Sequence, residues 1–381
     1  MDLHKVFDKL ILIAFVLMIA VPIATTRFSG GEISENEKRM LAEIPSTDNL
    51  GARIFNREFM QDTENWLNDH IGKRNGCRAV YAIIMYHGLN ISTSSDVALG
   101  RDGYCFFTQR DNLEIGKGTY HFPDEDIGKI KEQYRKAKNY YDGKGIRFYL
   151  LLTPSKVSVY PEHLPFESNE QAVQPSELIE EAISDPEHVV NLKEKLISEK
   201  DKGKLFFLTD SHWNHRGTYA AYSEILRVLR PEETPIQESY GSDRRTGDLF
   251  QELGLIKDMD KEEVPEFLYD WNSRQLEMEE LDSEFINALK KELEDEEQTY
   301  TSPEIFVNEN GSGGTLLIYG DSMMAADLNV PRYLCEHYNK VVMLRARRIS
   351  PAIEEMIEPD TVIYSSTERL LRLSLRQFAG K

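Results

Sequence analysis

Two apolar runs in this chain end in side chains suited to nucleophilic chemistry. One is Leu205-Phe-Phe-Leu-Thr-Asp210-Ser-His212-Trp213, the other Leu316-Leu-Ile-Tyr-Gly320-Asp321-Ser322. A serine hydroxyl is a poor nucleophile near neutral pH unless a base takes its proton, and a histidine oriented by a carboxylate is such a base. Ser322 follows a glycine that permits a tight turn, so it can stand at the end of a buried strand. A helix starting there would turn free N–H groups toward a developing oxyanion. Asp210 lies two residues before His212 and can bind the ring nitrogen that faces away from Ser322. The expected triad is Ser322 as nucleophile, His212 as base and Asp210 as orienting acid.

Each run alone is weak. Gly-Asp-Ser is ordinary turn chemistry, and Asp-x-His can be a satisfied structural pair. His215 competes with His212 as the base. Asp210, His212 and His215 could also be imagined as metal ligands, but no third strong ligand motif accompanies them. We expect neither a metal nor a cofactor.

The elements around these runs indicate an α/β fold. Ile146–Thr153 is a continuous apolar run of the kind buried on both faces of a sheet. Leu205–Leu208, Thr315–Tyr319, Val341–Leu344 and Thr361–Tyr364 read as further strands. Helical patterns over Asp124–Tyr141 and Gly217–Leu229 alternate with them. This predicts a largely parallel sheet flanked by helices, with chemistry at the carboxyl ends of its strands. Upstream, helical spacing covers Ile54–His70 and Cys77–His87, and Asp102-Gly103 marks a hairpin within Asp96–Phe107. Residues Gln251–Glu297 are dense in acids and read as a charged, partly helical insertion with a solvated face.

The chain has 381 residues, 40% of them apolar, and a formal net charge of −20. That charge argues against tracking nucleic-acid phosphates. Cys77, Cys105 and Cys335 are three in number and widely spaced, so they form no closed disulfide framework and no zinc ribbon. Leu10–Thr26 is uncharged and would span roughly 25 Å as a helix. No Ala-x-Ala site precedes a cleavage point, so we expect a retained transmembrane anchor. Lys5 and Lys9 before it put the N-terminus in the cytoplasm and the rest outside. The expected organisation is a cytoplasmic tip and anchor over 1–27, a tether over 28–50, and a catalytic domain over 51–381 with the acidic insertion around 251–300.

Several blocks, in order, resemble the SGNH-hydrolase-like alginate O-acetyltransferases and the related DHHW proteins. They are Ser34–Pro45, Asn68–Arg74, Gly100–Phe107, Pro154–Lys156 with Tyr160–Pro165, Asp210–Asn214 and Gly320–Ser322. The resemblance implies an SGNH-hydrolase-like catalytic domain with Ser322, His212 and Asp210 in the roles already given. It implies transfer of acetyl groups to polysaccharide hydroxyls outside the membrane, fed by a membrane-bound O-acyltransferase. Met323 and Met324 depart from the family, which often has an aromatic residue after the serine. Trp213, Arg347, Arg348 and Tyr364 are candidate substrate-binding residues, the last three (with Arg345) by their position near strand ends. A carbohydrate acetylesterase using the same triad, and a non-catalytic subunit of a polysaccharide-modification complex, are the alternatives.

Overall fold

The computed structural model describes residues 3–26, 33–34, 39–169, 171–256, 261–293, 302–325 and 328–375. Parts of the expected tether and of the acidic insertion lie outside them. The chain divides into two compact units, one of residues 1–93 with 253–256, the other of residues 94–252 with 257–381.

The first unit is mainly helical. Helix α1 is Leu3–Ala24, and within it Phe7–Ala24 is long and apolar enough to cross a membrane. The amphipathic stretch expected over 54–70 is broken into α2 (Leu50–Phe55) and α3 (Glu58–His70). The break falls where Arg57 takes a left-handed backbone, φ 62°. Helix α4 (Arg74–Ile83) runs on into a π turn over Ile84–Gly88.

The second unit opens with a hairpin, β1 (Val97–Leu99) and β2 (Cys105–Phe107). Asp102 and Gly103 both have positive φ, 54° and 81°, the pair that a tight two-residue hairpin turn requires. The remaining strands are β3 (Arg147–Thr153), β4 (Val189–Asn191), β5 (Tyr240–Arg245), β6 (Glu262–Phe267), β7 (Arg274–Gln275), β8 (Glu304–Val307), β9 (Thr315–Gly320), β10 (Lys340–Arg345) and β11 (Thr361–Thr367). Seven of them form a mixed sheet in the order β4-β3-β11-β9-β10-β8-β7. The first five run parallel, and β8 and β7 add antiparallel edges. Strands β5 and β6 pair separately.

Side-chain alternation explains the two layers. On β9, Leu316 and Ile318 enter one apolar core, while Leu317 and Tyr319 enter the other. Helices cover both faces, so β3 is apolar throughout Phe148–Leu152 and β9 throughout Leu316–Tyr319. Helix Asp124–Lys144 is closed by Gly145 at φ 71°.

Leu205–Leu208 corrects one expectation, because it is not a strand of the sheet. Its pairing is a single antiparallel bridge between Phe206 and Trp213. Phe207 N–H donates to His212 O and Asn214 N–H to Leu205 O, closing a hairpin-like turn over 208–211. Beyond one bond from Cys105 N–H on β2 to Leu208 O, side chains serve the rest of its backbone. Glu262 accepts from the N–H groups of Leu208 and Thr209, and Lys156 donates to Leu208 O. The expected acidic insertion contains β6, β7 and a helix over Ser283–Leu293 whose Leu289 and Leu293 are buried.

Candidate active site

Strand β9 is buried from Leu316 to Gly320 and delivers Ser322 just past its carboxyl end. The chain then makes one 3-10 turn, Ser322–Met324. Asp321 holds that turn at both sides. Its Oδ1 accepts from Met323 N–H at 3.0 Å and its Oδ2 from Thr367 N–H at 2.7 Å, at the end of β11. Met323 and Met324 are fully buried beneath the serine.

From across the molecule the 208–211 turn brings in the other two residues. His212 Nε2 lies 2.8 Å from Ser322 Oγ, placed to accept its proton. His212 Nδ1 lies 2.6 Å from Asp210 Oδ1, which also accepts the backbone N–H of His212 at 3.0 Å. A donor at Nδ1 leaves Nε2 free of hydrogen and basic, the arrangement nucleophilic catalysis needs. Asp210 is buried, whereas the His212 side chain keeps 20% of its surface exposed.

A strap over 245–249 holds the Asp210–His212 turn in place. Arg245 donates to Asp210 Oδ2 at 3.3 Å, and Asp248 N–H does so at 3.1 Å. The Asp248 carboxylate in turn accepts from Ser211 N–H and Ser211 Oγ, at 2.9 and 2.8 Å, and lies 3.7 Å from His212 Nδ1. Gly247 N–H donates to Thr209 Oγ1, and Leu249 N–H donates to Thr209 O. A Cβ on Gly247 would meet Thr209 O at 2.1 Å, so only glycine permits this approach. Below the turn, Lys156 is fully buried and donates to the carbonyls of Cys105, Leu208 and Asp210 at 2.7, 2.8 and 3.1 Å. Burial draws its ammonium down to about 8.

These neighbours set the electrostatics. Burial penalises the charged form of Asp210, but its bond to His212 and the charges of His212 and Arg245 hold it well below the usual carboxylate range. Burial lowers the basicity of His212, yet Asp210 and Asp248 outweigh it and leave the imidazole above its ordinary value. Asp248 is raised, first by burial and then by the charge of Asp210. Arg369 follows β11. It is lowered by burial, and its charge acts on His212, Asp248 and Asp321.

Asp210, His212 and Asp248 offer ligand atoms within 4.8 Å of one another, so they are the set among the described residues that could take a cation. The histidine nitrogen nearest both carboxylates is the one bonded to Asp210. His215, the alternative base or ligand, instead begins the helix His215–Leu229.

The four candidate substrate residues fare differently. Trp213 is fully buried and has no ring face to offer a sugar. Neighbours in an extended segment point to opposite sides, so a His212 that faces the site sends Trp213 into the core. Tyr364 is buried, its hydroxyl 2.6 Å from Arg347 O and 3.2 Å from Ser374 O. Arg348 donates to Glu292 O at 2.9 Å. The sequence reading missed Asp248, Arg245, Glu262 and Arg369 as parts of the site. Only Arg369 had a usable signal, its place directly after a strand that ends beside β9.

Residues 97–282 match the family model of the SGNH hydrolase-like domain of the acetyltransferase AlgX. That span includes Asp210, His212 and Asp248 and stops before Ser322. Among solved structures, Bacillus cereus PatB1 aligns with a TM-score of 0.53 at 14% identity, over 74% of this chain and 99% of that one. A DHHW family protein from Eubacterium siraeum gives 0.48 at 11% identity, over 73% and 94%. The O-acetyltransferase domain of Pseudomonas putida AlgJ gives 0.45 at 16% identity, over 73% and 92%. No curated protein sequence matches the chain. The likeness to PatB1 shows a shared fold.

Proposed function

From a chain whose family-level match is the SGNH hydrolase-like domain of AlgX-type acetyltransferases, we propose an extracytoplasmic O-acetyltransferase acting on polysaccharide hydroxyls through an acyl-Ser322 intermediate. The observation that carries this reading is the continuous Asp210–His212–Ser322 hydrogen-bond chain.

In the first half-reaction Ser322 Oγ attacks the donor carbonyl while its proton moves to His212 Nε2. Asp210 stabilises the imidazolium that forms. The tetrahedral oxyanion is held by the Ser322 N–H and neighbouring donors, and the positive charge of Arg369 favours it. Collapse expels the donor's leaving group, which takes the proton from His212, and acetyl-Ser322 remains. In the second half-reaction a sugar hydroxyl gives its proton to His212 and attacks the ester. Ser322 leaves and recovers that proton, so the enzyme returns to its starting state.

Helix α1 supplies the membrane anchor of this reading, with the catalytic unit outside. A membrane-bound O-acyltransferase is the proposed source of acetyl groups. The exposed edge of His212 favours one further reading, an acetylesterase in which water replaces the sugar hydroxyl. Purified protein given a chromogenic acetyl ester, with and without oligosaccharides, separates them. Ser322-dependent acetylation of an oligosaccharide supports transfer, and acetate release without any acetylated sugar supports the esterase. An unchanged rate for Ser322→Ala would remove both.

A further inference from the structure

Helix α4 is apolar on both sides. Ala82 is buried against its own unit, yet Cys77, Val80, Tyr81 and Ile84 form an exposed stripe at three- and four-residue spacing. Val80, Tyr81 and Ile84 keep 57%, 56% and 55% of their surfaces open, and Leu89 and Ile91 beyond them are exposed too. The same stretch is basic. Residues 71–91 hold Lys73, Arg74 and Arg78 and no Asp or Glu, in a chain of net charge −20, and of the three Arg74 lies 3.9 Å from Asp69. Apolar residues, a tyrosine and basic side chains on one short helix suit the boundary between lipid headgroups and acyl chains.

The depth of this helix is fixed by the turn before it. Gly72 N–H is 3.1 Å from Pro22 O and 3.2 Å from Thr26 Oγ1, so it packs on the last turn of α1. A Cβ on Gly72 would lie 2.1 Å from Thr25 Oγ1 and 2.4 Å from the Thr25 carbonyl carbon. Only glycine allows that approach. Helix α4 therefore starts two residues from a point level with the end of the membrane-length segment Phe7–Ala24.

We infer that Arg74–Gly88 lies in the outer headgroup layer of an anionic membrane, beside α1, as a second membrane contact. The inference rests on reading α1 as the anchor. The exposed Lys73 and Arg78 face lipid phosphates, while Val80, Tyr81 and Ile84 enter the upper acyl region. Two contacts of different kind restrict how the first unit tilts and turns on the surface, which a single helix cannot do.

The test uses the full chain in vesicles of phosphatidylglycerol and phosphatidylcholine. Cys77 is exposed whereas Cys105 and Cys335 are buried, so Cys77 takes a fluorescent thiol label as it stands. The expected result is quenching by lipids brominated near the carbonyl, with iodide quenching several-fold weaker than for a label at Glu181→Cys in a Cys77→Ser background. Combined Lys73→Gln and Arg78→Gln should return iodide access, and so should Gly72→Ala. A label at Met18→Cys, again without Cys77, reports on the anchor separately. Lipid quenching at Met18 with Cys77 fully open to iodide overturns the inference and leaves the anchor standing. Both positions open to iodide overturn both. Protection of Cys77 only after a membrane acyltransferase is co-reconstituted assigns the stripe to a protein partner and likewise overturns it.

Discussion

Asp248 binds Asp210 through its backbone and faces His212 through its side chain. Its N–H donates to Asp210 Oδ2 at 3.1 Å, and its carboxylate stands 3.7 Å from His212 Nδ1. The histidine is thus flanked by two acids, one bonded to it and one held slightly back by Ser211.

Replacing Asp248 by Asn should shift a pH profile more than it lowers a rate. The charge of Asp248 helps to raise His212, and the base works only when neutral. Removing that charge lowers the pKa of His212, so the ascending limb of kcat/KM should move to lower pH, by roughly one unit. The pH dependence of acetyl ester turnover reads this directly. A limb that stays in place would show that His212 does not feel the second acid.

Asp210→Asn should be far more damaging. An amide cannot fix the same tautomer of His212, and turnover should fall by on the order of 10⁴-fold. Substrate binding should change little, so the loss belongs in kcat rather than KM. A fall confined to KM would contradict the assigned role.

Gly247→Ala tests the strap itself. Its Cβ would meet Thr209 O, so the strap and the acid–base turn must separate. Overpacking of this kind costs about 1–3 kcal/mol. Chemical denaturation should show that loss together with reduced turnover. Unchanged stability and turnover would mean the contact is not needed.

Lys156→Met removes three hydrogen bonds from below the turn, to the carbonyls of Cys105, Leu208 and Asp210, of which Leu208 O keeps a bond from Cys105 N–H. The expected loss of stability is roughly 3 kcal/mol. Thermal melting of the purified variant measures it, and a melting point equal to that of the parent would refute the role.

The sheet was largely legible where burial on both faces leaves continuous apolar runs, as at Arg147–Thr153 and Thr315–Gly320. The Asp102-Gly103 turn was legible because few residues accept two consecutive left-handed backbones. Strand β4 was not, since three residues carry too short a pattern, and β7 and β8 were hidden beside or within an acid-rich stretch. Leu205–Leu208 looked like a strand because its side chains are buried. Its backbone partners include the side chains of Glu262 and Lys156, which no local pattern reveals. The same reason hid Asp248: an acid's partners depend on tertiary closure, not on neighbouring residues. The Ser322, His212 and Asp210 runs stood out because each follows an apolar stretch with a glycine or an Asx residue.

The central claim is that Ser322 carries the acyl group. The most direct measurement is intact mass of protein mixed briefly with an excess of acetyl ester and quenched in acid, followed by peptide mapping. The account predicts one added acetyl group on the peptide containing Ser322, absent in Ser322→Ala and discharged when an acceptor sugar is supplied. An acetyl group found on another residue, or turnover that persists in Ser322→Ala, would contradict it.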